Sequence, residues 1–496
     1  MFTNLKTKAL FLYLSVFCLI ELLSYFSLFN ANLNLVVFTT LSLTVLLLSL
    51  YRLEYGLLAV FGELFIGSMG RMFTINLGGF DLSIRMSFWL IVMLVFVGKF
   101  IWSLKKSGKN SAYLNALKSF HFKYYFLALG GALLIGISKA FIARNELSLI
   151  FSDANAWLYY LLILPTIVVC SAKGEGKLEK LYEIFKAAAL WLGLKTFWLL
   201  YVFTHNLSFS PEVYVWLRKT LVGEMTATLS GWPRIFIQGQ IFAALGLFFV
   251  FWKNLIAKSA SYWQRFVDII LAALFAGVLL ISFSRSFWLA LLITLFILLI
   301  IVWRLFSFKK MFLSGLWLGV IFAISFGLLY LTSIFPYPRS GSFNADFAGR
   351  ADIGNTKEAA ISSRWSLLPV LIEEIKKAPL LGQGYGKTVT YISNDPRVLE
   401  KDPTGSYTTY AFEWGYLDTW LKIGFLGLGA YLLLIFSLLK QAWKINHQKP
   451  EIVILGLAGG LIFIAITNFF TPYLNHPLGI GIIIAGACLI DKYRVY

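Results

Sequence analysis

A chain of 496 residues with 59% hydrophobic, 17% aromatic and only 14% charged side chains excludes a water-soluble globular protein. Its net charge of +19 gathers into no basic face, RNA-binding motif or arginine-rich arm, so the partner it implies is the lipid bilayer, with no nucleic acid. The three cysteines (Cys18, Cys170, Cys488) lie inside or at the end of apolar runs and the four histidines (His121, His205, His447, His476) are scattered, so neither a disulfide framework, a metal nor another cofactor is expected.

The first apolar run follows Lys8 and continues to about Phe29 without a small-residue cleavage site. It reads as an uncleaved membrane helix rather than a signal peptide. Further spans are expected near 34–50, 55–70, 83–103, 124–142, 155–171 and 186–204, then near 236–252, 266–283, 287–304, 311–335, 418–439, 452–470 and 477–491. That makes about 14 spans of roughly 20 residues each. Alternate connections differ in charge. One set collects lysines such as Lys99, Lys105, Lys106, Lys253, Lys444 and Lys492, and the short segments of the other hold Arg71, Arg85, Arg144, Arg234 and Arg285. The positive-inside rule then puts both termini in the cytoplasm and the long polar segment 336–416 outside. The expected organisation is N-terminal membrane helices over 1–235, central helices over 236–335, the outer loop over 336–416 and C-terminal helices over 417–496.

Three ionisable residues fall inside apolar runs. Glu21, Glu63 and Lys195 are read as interhelical polar contacts or helix-end residues, with a relay in a transporter as the alternative. Arginine suits bidentate phosphate recognition better than lysine, so the outer arginines are candidates for a diphosphate site, against simple anchoring to lipid headgroups.

Within the outer segment, Leu368, Leu371, Ile372 and Ile375 recur at helical spacing with charges opposite, which predicts an amphipathic helix. Ser362 or Ser363 would cap it, and Pro379 with the following glycines would end it. The run Gly382-Gln383-Gly384-Tyr385-Gly386-Lys387-Thr388 looks like a nucleotide phosphate loop, but Leu381 occupies the position where its first glycine is required. It is expected instead to be a tight turn whose backbone amides approach a phosphate.

Several motifs, taken in order, resemble the O-antigen ligase/polymerase family of bacterial membrane glycosyltransferases. They are Ser284-Arg285-Ser286-Phe287-Trp288-Leu289-Ala290, Arg364-Trp365, Pro379-Leu380-Leu381-Gly382-Gln383-Gly384, and Tyr416-Leu417 followed by Gly424-Phe425-Leu426-Gly427. The resemblance covers roughly residues 230–475. It implies an all-α polytopic protein of the bacterial inner membrane whose one large outer loop carries short amphipathic helices. It also implies transfer of an oligosaccharide from an undecaprenyl-diphosphate-linked glycan donor to a glycan, lipid A core or protein acceptor, with a chain-length regulator as a further partner.

In such a reaction negative charge grows on the diphosphate, and fixed arginines stabilise it. The family segment matching Gly231–Gln240 carries a donor-binding arginine, which makes Arg234 the leading diphosphate ligand, with Gln238 and Gln240 where the family often has Asn-Pro-Asn. Arg285 is a second contact and Arg364 a third. The acceptor hydroxyl must also lose its proton to a base. Ligases of this family place a histidine four residues before the position of Leu417. Here that position is Glu413, which an apolar setting beside Trp414 would tune upward. Asp418 is the fallback, ahead of His205 and His476. Trp365, Tyr385, Tyr407, Tyr410 and Trp414 would line a sugar groove, with Tyr416 beside them. The absent histidine favours a polymerase over a ligase. The rival from another class, a polysaccharide transporter or flippase without catalysis, should show paired repeats, and no obvious repeat is present.

Overall fold

The computed structural model describes residues 7–171, 177–228, 231–257, 261–336 and 359–494. The part of the outer segment at 337–358 lies outside them. Among the described residues eleven helices are long and apolar enough to cross a membrane. The other three expected spans are helices of a different character. Leu53–Ile66 (α3) has 14 residues and Ile452–Thr467 (α18) has 16, while Pro477–Arg494 (α19) carries Asp491, Lys492 and Arg494 in its last turns. Short helices of this kind persist in a bilayer only when neighbours surround them. All three are buried along much of their length, which is why they can be short.

Helices α1 (Thr7–Leu28), α2 (Ala31–Tyr51) and α4 (Ile84–Ser107) present wide apolar faces outward, as lipid contact requires. The centre belongs to Ile241–Ile256 (α11), buried at every position from Ile241 to Trp252. Phe248 and Phe249 of α11 lie against Gly459 and Gly456 of α18, where the missing side chains let two helices approach closely. The intramembrane charges are paired across helices: Lys195 meets Glu21 at 2.5 Å, and Arg85 forks onto Glu63 at 2.8 and 3.0 Å while donating to the Ser68 carbonyl. Their reading as interhelical contacts holds, and Arg85 is thereby committed to Glu63 rather than to a phosphate.

Three two-stranded antiparallel hairpins interrupt the helices: β1 Thr74–Leu77 with β2 Phe80–Ser83, β3 Glu224–Ala227 with β4 Pro233–Phe236, and β5 Val389–Ile392 with β6 Ser406–Thr409. By the alternation of the helices they share one end of the bundle, opposite the described chain ends.

The loop helix α15 runs from Ala359 to Lys377, so it is already under way at Ser362 and Ser363 and neither residue caps it. Its buried face is Leu367, Leu371 and Ile375, which form a second core with Val389, Phe412 and Leu421. Ile372 points outward and Leu368 is half-buried, so the inward stripe is turned by one position from that expected.

After α15 the glycine turn meets the long helix α17 (Gly415–Gln448) where that helix is broken. Gly424 has φ 70° and ψ 178°, a conformation essentially reserved for glycine. The break frees backbone groups that lipid could not satisfy, and the turn supplies their partners. Phe425 and Leu426 donate to the carbonyls of Pro379 and Leu380, while Gln383 and Gly384 donate to those of Leu421 and Lys422. A Cβ at Gly384 would lie 2.3 Å from the Ala140 nitrogen of α6 (Lys123–Ile142). Gly384→Ala is therefore expected to destabilise the protein by about 2 kcal/mol or more. Gly429→Ala, in open space on the same long helix, should change little. Thermal unfolding in detergent measures both.

Candidate functional site

Hairpin β3–β4 delivers Arg234 to the end of the bundle, paired in register with Thr226. Its Nε donates to the Ser282 carbonyl at 2.9 Å, just past the end of α12 (Tyr262–Ile281), and its guanidinium lies 5.3 Å from the centre of the Phe236 ring. Three residues beyond Ser282, Arg285 opens α13 (Arg285–Leu305) and is half-buried. The hairpin and the α12–α13 turn thus carry both arginines to one place. Beyond β4, the Gln238 side chain accepts from the Tyr473 hydroxyl at 3.0 Å, and buried Gln240 donates to the Ile235 carbonyl at 3.1 Å. Both amides hold the turn into α11 together.

The segment between α18 and α19, Asn468–His476, connects these residues to the loop. Ser286 shares a hydrogen bond with Thr471 at 3.1 Å, and Phe287 packs on Tyr473. One residue before Thr471, the Phe470 ring lies 5.6 Å from Trp414, whose other neighbour is Trp365, also at 5.6 Å. Trp414 donates from its indole to the Arg364 carbonyl at 3.0 Å. Next to it, Arg364 Nε donates to the Glu413 carboxylate in a close ion pair. Arg234, Arg285, Arg364, Trp365, Glu413 and Trp414 therefore lie around one connecting segment. Nothing in the sequence motifs marked that segment. Its signal is a polar Thr-Pro-Tyr-Leu-Asn-His run between two apolar helices.

Other expectations change with the structure. Glu413 is 55% exposed and paired, not set in an apolar pocket. Tyr385 is fully buried, edge-on to Trp157, and lines no open groove. Tyr416 donates to the Ala465 carbonyl at 2.7 Å and packs on Phe469. Tyr407 lies edge-on to Tyr391 across the β5–β6 hairpin, and Tyr410 is half-buried beyond it. His205 is stacked on Tyr201 inside the fold. The amides of the three turn glycines and of Gln383 are occupied: besides those bonded to α17, Gly382 donates to the Ala378 carbonyl and Gly386 to Asp153 at 2.8 Å. They make no phosphate cradle.

Asp418 lies beneath the site, within a buried charge cluster. Lys422 sits 2.6 Å from Asp418, one helical turn on, and 2.5 Å from Asp153, in the segment that leads from α6 to α8 (Ile163–Ser171). Asn475 donates to the other Asp418 oxygen at 2.7 Å. The cluster therefore joins three parts of the chain directly below the connecting segment.

Glu374, at the end of α15, clasps the glycine turn through Lys377, Lys387 and Gln383. Burial alone would raise its carboxyl, and those contacts outweigh it and hold the group below its ordinary 4.5. Its stabilising contribution is present above that ordinary value and is lost as pH falls through the lowered one. The melting-temperature difference between wild type and Glu374→Gln should be open at neutral pH and close as the pH falls through that lowered value.

Among the described residues no group of three or more histidine, cysteine, aspartate or glutamate side chains is placed to hold a metal ion. No curated protein matches the chain. The family model described as O-antigen ligase matches residues 270–432, from within α12 through α13, α14 (Phe308–Ile334) and the loop into α17. Over that stretch, about a third of the chain, it is similar to the O-antigen ligase family.

Proposed function

We propose that this protein transfers an oligosaccharide from undecaprenyl diphosphate to an acceptor hydroxyl on the outer face of the inner membrane, as a surface-polysaccharide polymerase. The supporting observation is the assembly of Arg234, Arg285, Arg364 and Glu413 around Asn468–His476 at the loop end of the bundle. The termini face the cytoplasm in this reading, and residues 1–235, 236–335 and 417–496 are the scaffold for the loop of 336–416.

Arg234 and Arg285 hold the diphosphate. The acceptor oxygen attacks the anomeric carbon from the opposite face, forming the new glycosidic bond as the bond to the diphosphate oxygen breaks, with inversion. The proton passes to the Glu413 carboxylate, and the electron pair leaves on the diphosphate, where the arginines meet the growing charge. Arg364 orients Glu413 and exchanges its carboxylate with the incoming hydroxyl. Exposed Trp365 and its neighbour Trp414 offer aromatic faces for a sugar. The residues proposed here complete the step without a metal.

The test is transfer by the purified protein from a synthetic undecaprenyl-diphosphate oligosaccharide. A ladder of lengthened lipid-linked glycan identifies a polymerase, and product on added lipid A core identifies a ligase, the second reading that the family description favours. Activity should persist in a chelator. Failure to transfer to either acceptor would contradict the enzymatic reading, and loss on chelation would contradict the metal-free step.

A further inference from the structure

The end of the bundle opposite the site contains a cavity of about 1000 Å³. Its interior is apolar, formed by Phe65, Phe185, Phe249, Leu457, Ile482 and Ala485 from five different helices. Its mouth is basic, with Lys444, Lys449, Lys492 and Arg494 against a single lining carboxylate, Glu451. Lys449 pairs with Glu451 at 3.0 Å, and Arg494 lies 3.7 Å from Asp491, which also accepts from the His121 amide. Lys444 and Lys492 have no salt bridge among the described residues.

We propose that this cavity binds one anionic glycerophospholipid, its phosphate between Lys444 and Lys492 and an acyl chain in the apolar interior. Two independent features point there. The first is charge: the lining cations outnumber the one lining anion. In the orientation given under Proposed function the mouth faces the cytoplasmic leaflet, where anionic lipids are concentrated.

The second is shape. On α19 alone, Lys492 at the mouth and Gly481 at the inner end are separated by about 16 Å at 1.5 Å per residue. One leaflet of hydrocarbon is about 15 Å thick, half of a core of about 30 Å, so a chain of ordinary membrane length fits from head to tip. A polyprenyl tail is several times longer than that depth. Nothing in the transfer step uses this cavity, and α17 separates its mouth from the site by most of its length.

The experiment is equilibrium binding of a fluorescent phosphatidylglycerol to the full-length protein in neutral detergent, with phosphatidylcholine of the same chains for comparison. Wild type should take up one phosphatidylglycerol and bind it at least about tenfold tighter than phosphatidylcholine. Lys444→Ala with Lys492→Ala should remove that preference. Ala485→Trp, which fills the interior, should remove binding of both lipids. A melting scan on each variant separates loss of the site from loss of the fold, and the lysine pair, being at the mouth, serves where the tryptophan variant does not fold. Equal binding of the two lipids, or a lysine variant that still prefers phosphatidylglycerol, would overturn the proposal. Displacement by polyprenyl phosphate at concentrations where phosphatidylglycerol does not compete would overturn the glycerophospholipid assignment.

Discussion

Replacing Arg234 with alanine is expected to lower glycan transfer by about a hundredfold or more while leaving the protein folded. The magnitude is that of removing one preorganised electrostatic partner from a developing anion. Its backbone stays paired in the β3–β4 hairpin, and the hydrogen bond to the Ser282 carbonyl is at a half-buried position, so the structural cost should be small. Arg234→Lys should recover only part of the loss, because a lysine offers a point charge instead of a planar fork. The check is the initial rate of transfer alongside a melting curve. A rate within about threefold of wild type would remove Arg234 from the diphosphate site, and a collapsed melting curve would make it structural.

Lys422→Met is expected to have the largest effect on stability, about 3–5 kcal/mol, the usual cost of removing one partner from a buried ion pair. Lys422 is 3% exposed and stands between Asp153 and Asp418, themselves 7% and 2% exposed. Without the lysine, two carboxylates remain inside the protein with only Asn475 and the Gly386 amide to answer them. Neutralising all three groups together, as Asp153→Asn, Asp418→Asn and Lys422→Met, should restore much of the loss, since a neutral cluster has no unpaired charge. Yield and melting temperature in detergent report it. If the single variant melts with the wild type, the cluster is not holding α17 to the segment that leads from α6 to α8. If it folds but fails in transfer, the lysine works in the site.

These two residues also mark what was legible in the sequence. Long apolar runs betray membrane helices because lipid contact demands them, and the alternating lysine-rich connections order them. The expected spans at Leu53–Ile66, Ile452–Thr467 and Pro477–Arg494 are shorter or more charged than the other eleven, because a helix surrounded by protein need not meet the length and apolarity that lipid contact demands. Arg234 and Arg285 stood out because an arginine between apolar runs needs a reason. Lys422 gave the same kind of signal, a lysine one turn after Asp418 in an apolar run, and its second partner, Asp153, lies 269 positions away. No local pattern pairs residues that far apart. The glycines after Pro379 could be recognised as a turn, but their role depends on the break at Gly424, which only the packed structure reveals. The one-position rotation of α15 has a similar cause: its inward face is chosen by Val389, Phe412 and Leu421, not by its own periodicity.

The most direct measurement is the lipid-linked glycan profile of cells lacking this protein, complemented with wild type, Arg234→Ala or Glu413→Gln. Polymerase action at this site predicts that single repeat units accumulate on the polyprenyl carrier and that only wild type restores long chains. An unchanged profile on deletion, or full rescue by both variants, would contradict it.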